Sequence, residues 1–186
     1  MMPLPLPVLI YVLFIALFGT LHMVFILKKK GKVAAGKSDP TFFLVTIPFL
    51  LCLIAGPVES VVRHLTLMLF RYLLGIVFLV AGAVFDVVSL SYLKSAFSTL
   101  VDNKVGQKLV TSGPYGIVRH PLYLSYIFIA GSSPSAMRSW FALGLFLCTV
   151  AGILIRIKVE ERLMSAVFPG YKEYMKQTKG LIPGIY

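Results

Sequence analysis

Apolar and polar positions alternate along this chain in long blocks. Residues 4–27 carry no charge, and at about 1.5 Å per residue a helix of that length crosses a hydrocarbon core of about 30 Å. The basic residues Lys28, Lys29, Lys30 and Lys32 follow this run instead of preceding it. That order argues for an uncleaved transmembrane helix with its N-terminus outside, and against a cleaved signal peptide. A second run, 41–62, contains Pro48 and Gly56-Pro57 and predicts a kinked or broken helix whose freed carbonyls are covered by neighbours. Glu59 and Arg63 mark its far end. The third run, 65–93, holds Arg71 near its start, Asp86 late, and the small residues Gly75, Ala81, Gly82 and Ala83, which allow close helix packing.

A polar stretch, 94–120, separates these from a short fourth run, 121 to about 133. A turn expected at Ser132-Ser133-Pro134-Ser135 leads to a fifth run, 139–155. The last two predict a helical hairpin that crosses part of the bilayer or reaches further by tilting. Beyond Ile155, Arg156, Lys158, Glu160, Glu161 and Arg162 precede Leu163, Met164, Val167, Phe168, Tyr171, Tyr174 and Met175 at helical spacing. This reads as an amphipathic interfacial helix, interrupted at Phe168-Pro169-Gly170 and followed by turns from Lys179 onward.

Composition agrees with the blocks. Hydrophobic residues make up 58% of the 186 and charged residues 13%, where soluble domains run at about 45–50% and about 25%. The net charge of +11 would suggest nucleic acid in a soluble chain, but fifteen of the 18 Lys and Arg fall in 28–40, 94–120 and 156–179. Arg63, Arg71 and Arg138 lie at the opposite ends. The positive-inside rule then places the long loop and the C-terminus in the cytosol and accounts for the charge without nucleic acid. The fold class expected is an all-α integral membrane protein of about five transmembrane helices, in one membrane domain: 1–93 with three helices, and 94–186 with the loop, hairpin and interfacial helix. No ten-residue alternation suggests a barrel, and no internal repeat suggests an inverted-repeat transporter. Cys52 and Cys148 lie in apolar runs without metal-ligand spacing, and His22, His64 and His120 are scattered, so neither disulfide nor metal site is expected.

The polar stretches flank one membrane face, which makes a pocket between 94–120 and 156–179 the natural candidate site. His120 precedes Pro121, which suits the first position of a helix and biases His120 toward an extended backbone. His120 is thus expected at a helix start, with backbone donors nearby for a polar or anionic group. Residue types alone favour the plain reading, in which Thr111-Ser112-Gly113-Pro114 is a loop turn, Arg119 a positive-inside charge and His120 an interfacial residue. Arg156 and Glu160 are four apart on one helix face. They read either as a surface pair contributing about 0.2–0.5 kcal/mol, or as a cation held by a carboxylate at the lip of a lipid-facing cavity, ready for an acidic group. Asp86 is expected to face protein or water, supporting a packing contact or bordering the pocket. Arg71 is expected to snorkel outward, and Trp140, Tyr11 and Phe141 to be belt or core aromatics.

The ordered set Leu109-Val110-Thr111-Ser112-Gly113-Pro114-Tyr115, Arg119-His120-Pro121-Leu122-Tyr123, Arg156 with Glu160-Glu161, Tyr171-Lys172-Glu173-Tyr174 and Leu181-Ile182-Pro183 resembles the isoprenylcysteine carboxyl methyltransferase family. Phospholipid N-methyltransferases share the weaker outline of Arg-His-Pro followed by paired glutamates. The resemblance covers about the C-terminal half; Ser125 stands where the family often has glycine, and the N-terminal half carries none of its motifs. It implies a multi-helix membrane enzyme using S-adenosylmethionine near the cytosol, releasing S-adenosylhomocysteine, with a prenyl tail reached from lipid. Under it, Gln107, Lys108, Leu109, Val110, Tyr115, His120, Pro121, Leu122 and Tyr123, together with Leu100, fall where members enclose the cofactor. Arg156 and Glu160 fall at the acceptor site. No Gly-x-Gly-x-x-Gly follows a predicted strand, so a Rossmann turn cannot hold the cofactor. The function expected is methylation of the carboxylate of a prenylated cysteine or other lipid-like acceptor, in the plasma membrane of a prokaryote or the endoplasmic reticulum of a eukaryote. A phospholipid N-methyltransferase is the alternative within the enzyme class. A non-catalytic transport or lipid-binding protein, with Asp86 as its intramembrane site, is the alternative outside it.

Overall fold

The computed structural model describes residues 6–29, 40–63, 68–93 and 109–182. Among the described residues six helices follow one another: α1 (Leu6–Lys29), α2 (Pro40–Val62), α3 (Leu69–Leu93), α4 (Pro121–Met137), α5 (Trp140–Val167) and α6 (Tyr171–Gln177). A 3-10 turn, Gly113–Gly116, precedes α4. Among the described residues there is no strand, only a parallel bridge between Val118 and Lys179. Helices α2, α3 and α5 are long and apolar enough to cross a membrane, and the apolar stretch of α1, Leu6–His22, is shorter. Leu13, Leu50, Phe70 and Val77 are among the large apolar side chains exposed on α1 to α3, a surface suited to lipid as solvent.

Helix α4 is the axis, packed on α3, α2 and α5, while α2 pairs chiefly with α5. The α3–α4 seam is close because Gly75 and Gly82, two turns apart on one face, receive the α4 backbone. A Cβ at Gly82 would lie 2.9 Å from the Ser125 carbonyl oxygen, so this approach requires the missing side chain. Val8 and Tyr11 of α1, Leu53 of α2, Leu79 of α3, and Ile129, Ala136 and Met137 of α4 form the main core.

Helix α2 runs unbroken through Pro48 and Pro57. Pro48 cannot donate to the Leu44 carbonyl, and that oxygen rests against α5 at Gly152, where a Cβ would stand 2.6 Å from it. The expected covering of freed carbonyls by neighbours is therefore seen at this position. The turn expected at residues 132–135 is not there. Helix α4 continues to Met137, and the chain reverses at Arg138, which adopts the left-handed conformation at φ 53°. Three features let the helix pass that sequence. The Ser132 and Ser135 hydroxyls donate to the Ile129 and Gly131 carbonyls, and the Ser133 hydroxyl to Cys52 on α2. The Ala130 carbonyl, which Pro134 leaves without its helical donor, has the Cys52 thiol 3.4 Å away. Serine and proline thus punctuate a loop only when the backbone groups they disturb have no other partner.

Helix α5 begins at a Ser139 cap that accepts from the Ala142 amide at 2.9 Å and donates to Glu59 of α2. It continues without interruption past Ile155, so the fifth apolar run and the first half of the amphipathic stretch are one helix. The break at residues 168–170 falls where expected.

Candidate functional site

The site is built where the start of α4, the last turns of α5, the start of α2 and the tail after α6 converge. The tail is fastened first through backbone. The Arg119 amide donates to the Lys179 carbonyl at 2.8 Å and the His120 amide to Gly180 at 3.0 Å, flanking the Val118–Lys179 bridge. Side chains then lock it. The Arg119 guanidinium donates to Glu161 at 2.8 Å, to the Met175 carbonyl at 3.1 Å and to the Thr178 carbonyl, satisfying acceptors that the end of α6 would leave open. The Tyr174 hydroxyl donates to the Tyr115 carbonyl. Burial pushes the Tyr174 hydroxyl up to about 12 and raises that of Tyr115 further, so both stay protonated at neutral pH and Tyr174 keeps its proton to donate. The described part of the loop ahead of α4, residues 109–120, and the segment after α5 therefore fold together, as the candidate pocket requires of them.

His120 caps α4 with ψ 58° and makes no side-chain cap bond. Its carbonyl accepts from the Tyr123 and Leu124 amides, and its own amide is taken by the tail. The helix start expected to offer backbone donors to a ligand is thus stitched to the chain itself. The imidazole instead faces the paired glutamates, with Nε2 3.3 Å from Glu161 and Nδ1 3.7 Å from Glu160, and stacks on Tyr123 at 5.7 Å between ring centroids.

Tyr123 joins the two expected acceptor-site residues. Its hydroxyl donates to Glu160 at 2.5 Å and accepts from Arg156 Nε at 2.6 Å, while Arg156 Nε lies 3.0 Å from Glu160. Arg156 is only 4% exposed. Its Nη1 also donates to the Thr41 hydroxyl at 3.1 Å, and its guanidinium carbon lies 5.8 Å from the centre of the Phe42 ring, within cation–π range. Spacing along α5 pointed to Arg156 and Glu160, but nothing local in the sequence could tie Thr41 and Phe42 to residue 156. Arg119 and Glu161 likewise carry more than the plain reading gave them, because burial and convergence are not properties of a single segment.

Of the other candidates, Tyr115 is buried, Pro121 is the buried first residue of α4, and Leu122 is half-buried in its first turn; Leu109 and Val110 are half-buried in the coil leading to the Gly113–Gly116 turn. Leu100, Gln107 and Lys108 lie outside the described residues. Two more intramembrane polar groups form a pair: His22 Nδ1 of α1 lies 2.7 Å from the Asp86 carboxylate of α3, and the Ser125 hydroxyl of α4, 2.7 Å from the Leu122 carbonyl, lies 3.3 Å from that carboxylate. The signal for this pair was present, since ionisable residues set deep in long apolar runs commonly meet one another. Tyr11 is core, hydrogen-bonded to Ser132, and Arg71, Trp140 and Phe141 are exposed. No group of three or more metal-ligating side chains occurs among the described residues.

Known proteins bear on this geometry. The cobalt-zinc-cadmium resistance protein CzcN of Cupriavidus metallidurans is 31% identical over 86 residues, 45% of this chain and 39% of that protein. The nickel-cobalt-cadmium resistance protein NccN of Alcaligenes xylosoxydans xylosoxydans is 30% identical over the same shares. The match thus spans about two fifths of these curated relatives. The solved structure of a eukaryotic intramembrane Ras methyltransferase, isoprenylcysteine carboxyl methyltransferase, superposes with a TM-score of 0.67 at 21% identity, covering 94% of this chain and 65% of that one. That likeness establishes a shared helical membrane fold. The family model for isoprenylcysteine carboxyl methyltransferases matches residues 73–166, which hold α4 and all of the Arg119–His120–Tyr123–Arg156–Glu160–Glu161 constellation. The chain is an integral membrane protein of the isoprenylcysteine carboxyl methyltransferase family.

Proposed function

We propose that the protein transfers a methyl group from S-adenosylmethionine to the carboxylate of a lipid-like acceptor, an isoprenylcysteine being the acceptor class the family name points to. One observation carries the reading: a buried guanidinium, Arg156, held by Tyr123 and Glu160 and faced by Thr41 and Phe42 at the edge of a lipid-solvated bundle.

The residues present fit such a donor. Tyr115 offers a buried hydroxyl without a hydrogen-bond partner among the described residues. Glu160 and Glu161 offer acceptors to ribose hydroxyls or positive charge, and His120 and Tyr123 a stacked pair of rings. Leu109, Val110, Tyr115, His120, Pro121, Leu122 and Tyr123, with Leu100, Gln107 and Lys108, would enclose it. When bound, S-adenosylmethionine supplies an electrophilic methyl on a positively charged sulfur that departs as a neutral thioether.

Arg156 fixes the acceptor carboxylate by charge-assisted hydrogen bonds. Glu160 and the Tyr123 hydroxyl hold the guanidinium in place for that task. The carboxylate is ionised at neutral pH, so no side chain need act as a general base. Opposite charges disappear as the methyl moves, and a pocket closed by the docked tail excludes the water that would stabilise them. Positioning does the rest. We further propose five transmembrane helices, with the site at the cytosolic face where the basic residues concentrate.

The test uses purified protein in detergent with radiolabelled S-adenosylmethionine and either farnesyl-cysteine or an amine lipid. Label on the farnesyl-cysteine carboxylate is expected. Label on the amine lipid alone transfers the protein to the phospholipid N-methyltransferase class, and no label on either overturns the enzymatic reading.

A further inference from the structure

The Asp86 carboxylate is 1% exposed, yet its polar surroundings are incomplete. Among the described residues its partners are His22 at 2.7 Å and, more weakly, the Ser125 hydroxyl at 3.3 Å, whose single proton has the Leu122 carbonyl closer at 2.7 Å, whereas a carboxylate offers about four acceptor positions. Ser89, one turn further along α3 and fully buried, has a hydroxyl with no partner among the described residues. So has Tyr115. These groups share a face. Gly82, Asp86 and Ser89 climb the side of α3 toward α4, since Gly82 receives the Ser125 carbonyl and Asp86 its hydroxyl. Three residues beyond Ser89, the Tyr92 ring seats Gly113, where a Cβ would stand 2.4 Å from a ring carbon and where φ is +63°. The Gly113–Gly116 turn therefore covers this end of the stripe, with Tyr115 within it. Asp86 and Glu160 are both among the neighbours that raise the Tyr115 hydroxyl, after burial itself. The Tyr126 ring lies 6.3 Å from the His22 ring and 6.2 Å from the Tyr123 ring. The polar spot thus adjoins the Arg156 site.

A buried carboxylate with open acceptor positions, two unpartnered hydroxyls and an aromatic ring beside it is chemically complementary to a nitrogen cation. We propose that the α1–α3–α4 seam is a second ligand subsite, in which Asp86, assisted by Ser89 and Tyr115, receives an ammonium group. Two sources carry that group: the amino-acid end of the methyl donor and the head group of an amine lipid. Only the first rests on the reading above.

Calorimetry on the full-length protein in detergent tests this with S-adenosylhomocysteine and its deaminated analogue, and with lysophosphatidylethanolamine and its N-acetyl derivative. In the unaltered protein at least one amine form is expected to bind about tenfold or more tightly than its partner without the ammonium. In Asp86→Asn that preference should collapse. The pair that shows this identifies the source. Ser89→Ala, which removes only a hydroxyl, should reduce the preference about threefold and serves if Asp86→Asn does not fold. The subsite is overturned if no amine preference exists in the unaltered protein, or if the preference survives both substitutions. Binding of S-adenosylhomocysteine with no amine preference in either pair sinks the subsite and leaves the methyltransferase reading standing. Asp86-dependent binding of the amine lipid by a protein that ignores S-adenosylhomocysteine does the reverse.

Discussion

The bundle carries two arginine–glutamate pairs at the same helical spacing, one at each end. Glu59 and Arg63 of α2 meet at 2.7 Å, and Arg156 and Glu160 of α5 at 3.0 Å. By distance the first is the better ion pair. Yet the Arg63 side chain is 57% exposed and the Arg156 side chain 5%, and only Arg156 is also engaged by a tyrosine hydroxyl, a threonine hydroxyl and an aromatic face. Water screens the first pair and makes it nearly dispensable. The second is committed: removing either partner strands a charge where solvation is poor. Spacing identifies that a pair exists, whereas burial and further partners decide what it is for.

The largest expected effect that separates the two ends comes from Arg156→Ala. Methylation of farnesyl-cysteine should fall by about two to three orders of magnitude, as for loss of a positioned charge-stabilising donor, while S-adenosylhomocysteine binding measured by calorimetry changes little. Undiminished turnover would mean that the acceptor carboxylate is held elsewhere. Arg119→Ala should destabilise the fold by about 1.5–3 kcal/mol, because half-buried Glu161 loses a charged hydrogen-bond partner, and should speed amide hydrogen exchange across 171–182, where the tail is pinned. Exchange unchanged in that segment would show that the backbone bonds to Lys179 and Gly180 suffice alone. Tyr123→Phe keeps the ring and removes the bridge between Arg156 and Glu160. A rate loss of about tenfold is expected, the worth of one hydrogen bond to a charged group, with a smaller loss in donor affinity from the retained stacking. At the other end Arg63→Ala should cost no more than about 0.5 kcal/mol and leave turnover untouched. A large effect there would erase the contrast on which the comparison stands.

The helical blocks were legible because a lipid-crossing segment must be apolar over its whole length, a property that any window of the sequence displays. The Phe168-Pro169-Gly170 break was legible for a similarly local reason. The Ser132–Ser135 segment misled, since its residues are turn formers only while their backbone groups lack partners, and those partners sit on α2 and within α4. At the candidate site, the spacing of Arg156 and Glu160 and the Arg119-His120-Pro121 run marked residues that the fold brings together. They did not disclose that Arg119 holds the tail, that the His120 amide is already taken, or that Thr41 and Phe42 face Arg156.

Alone, then, the amino-acid order determined the solvent of this protein, its helical class and the end of the bundle where charge collects, because each follows from the free energy of moving one segment between water and lipid. Tertiary structure decided which charges are buried, which carbonyls tolerate a proline and which of the described hydroxyls are buried without a partner. Those outcomes depend on distances between residues up to 121 positions apart, and such distances exist only once the helices have packed.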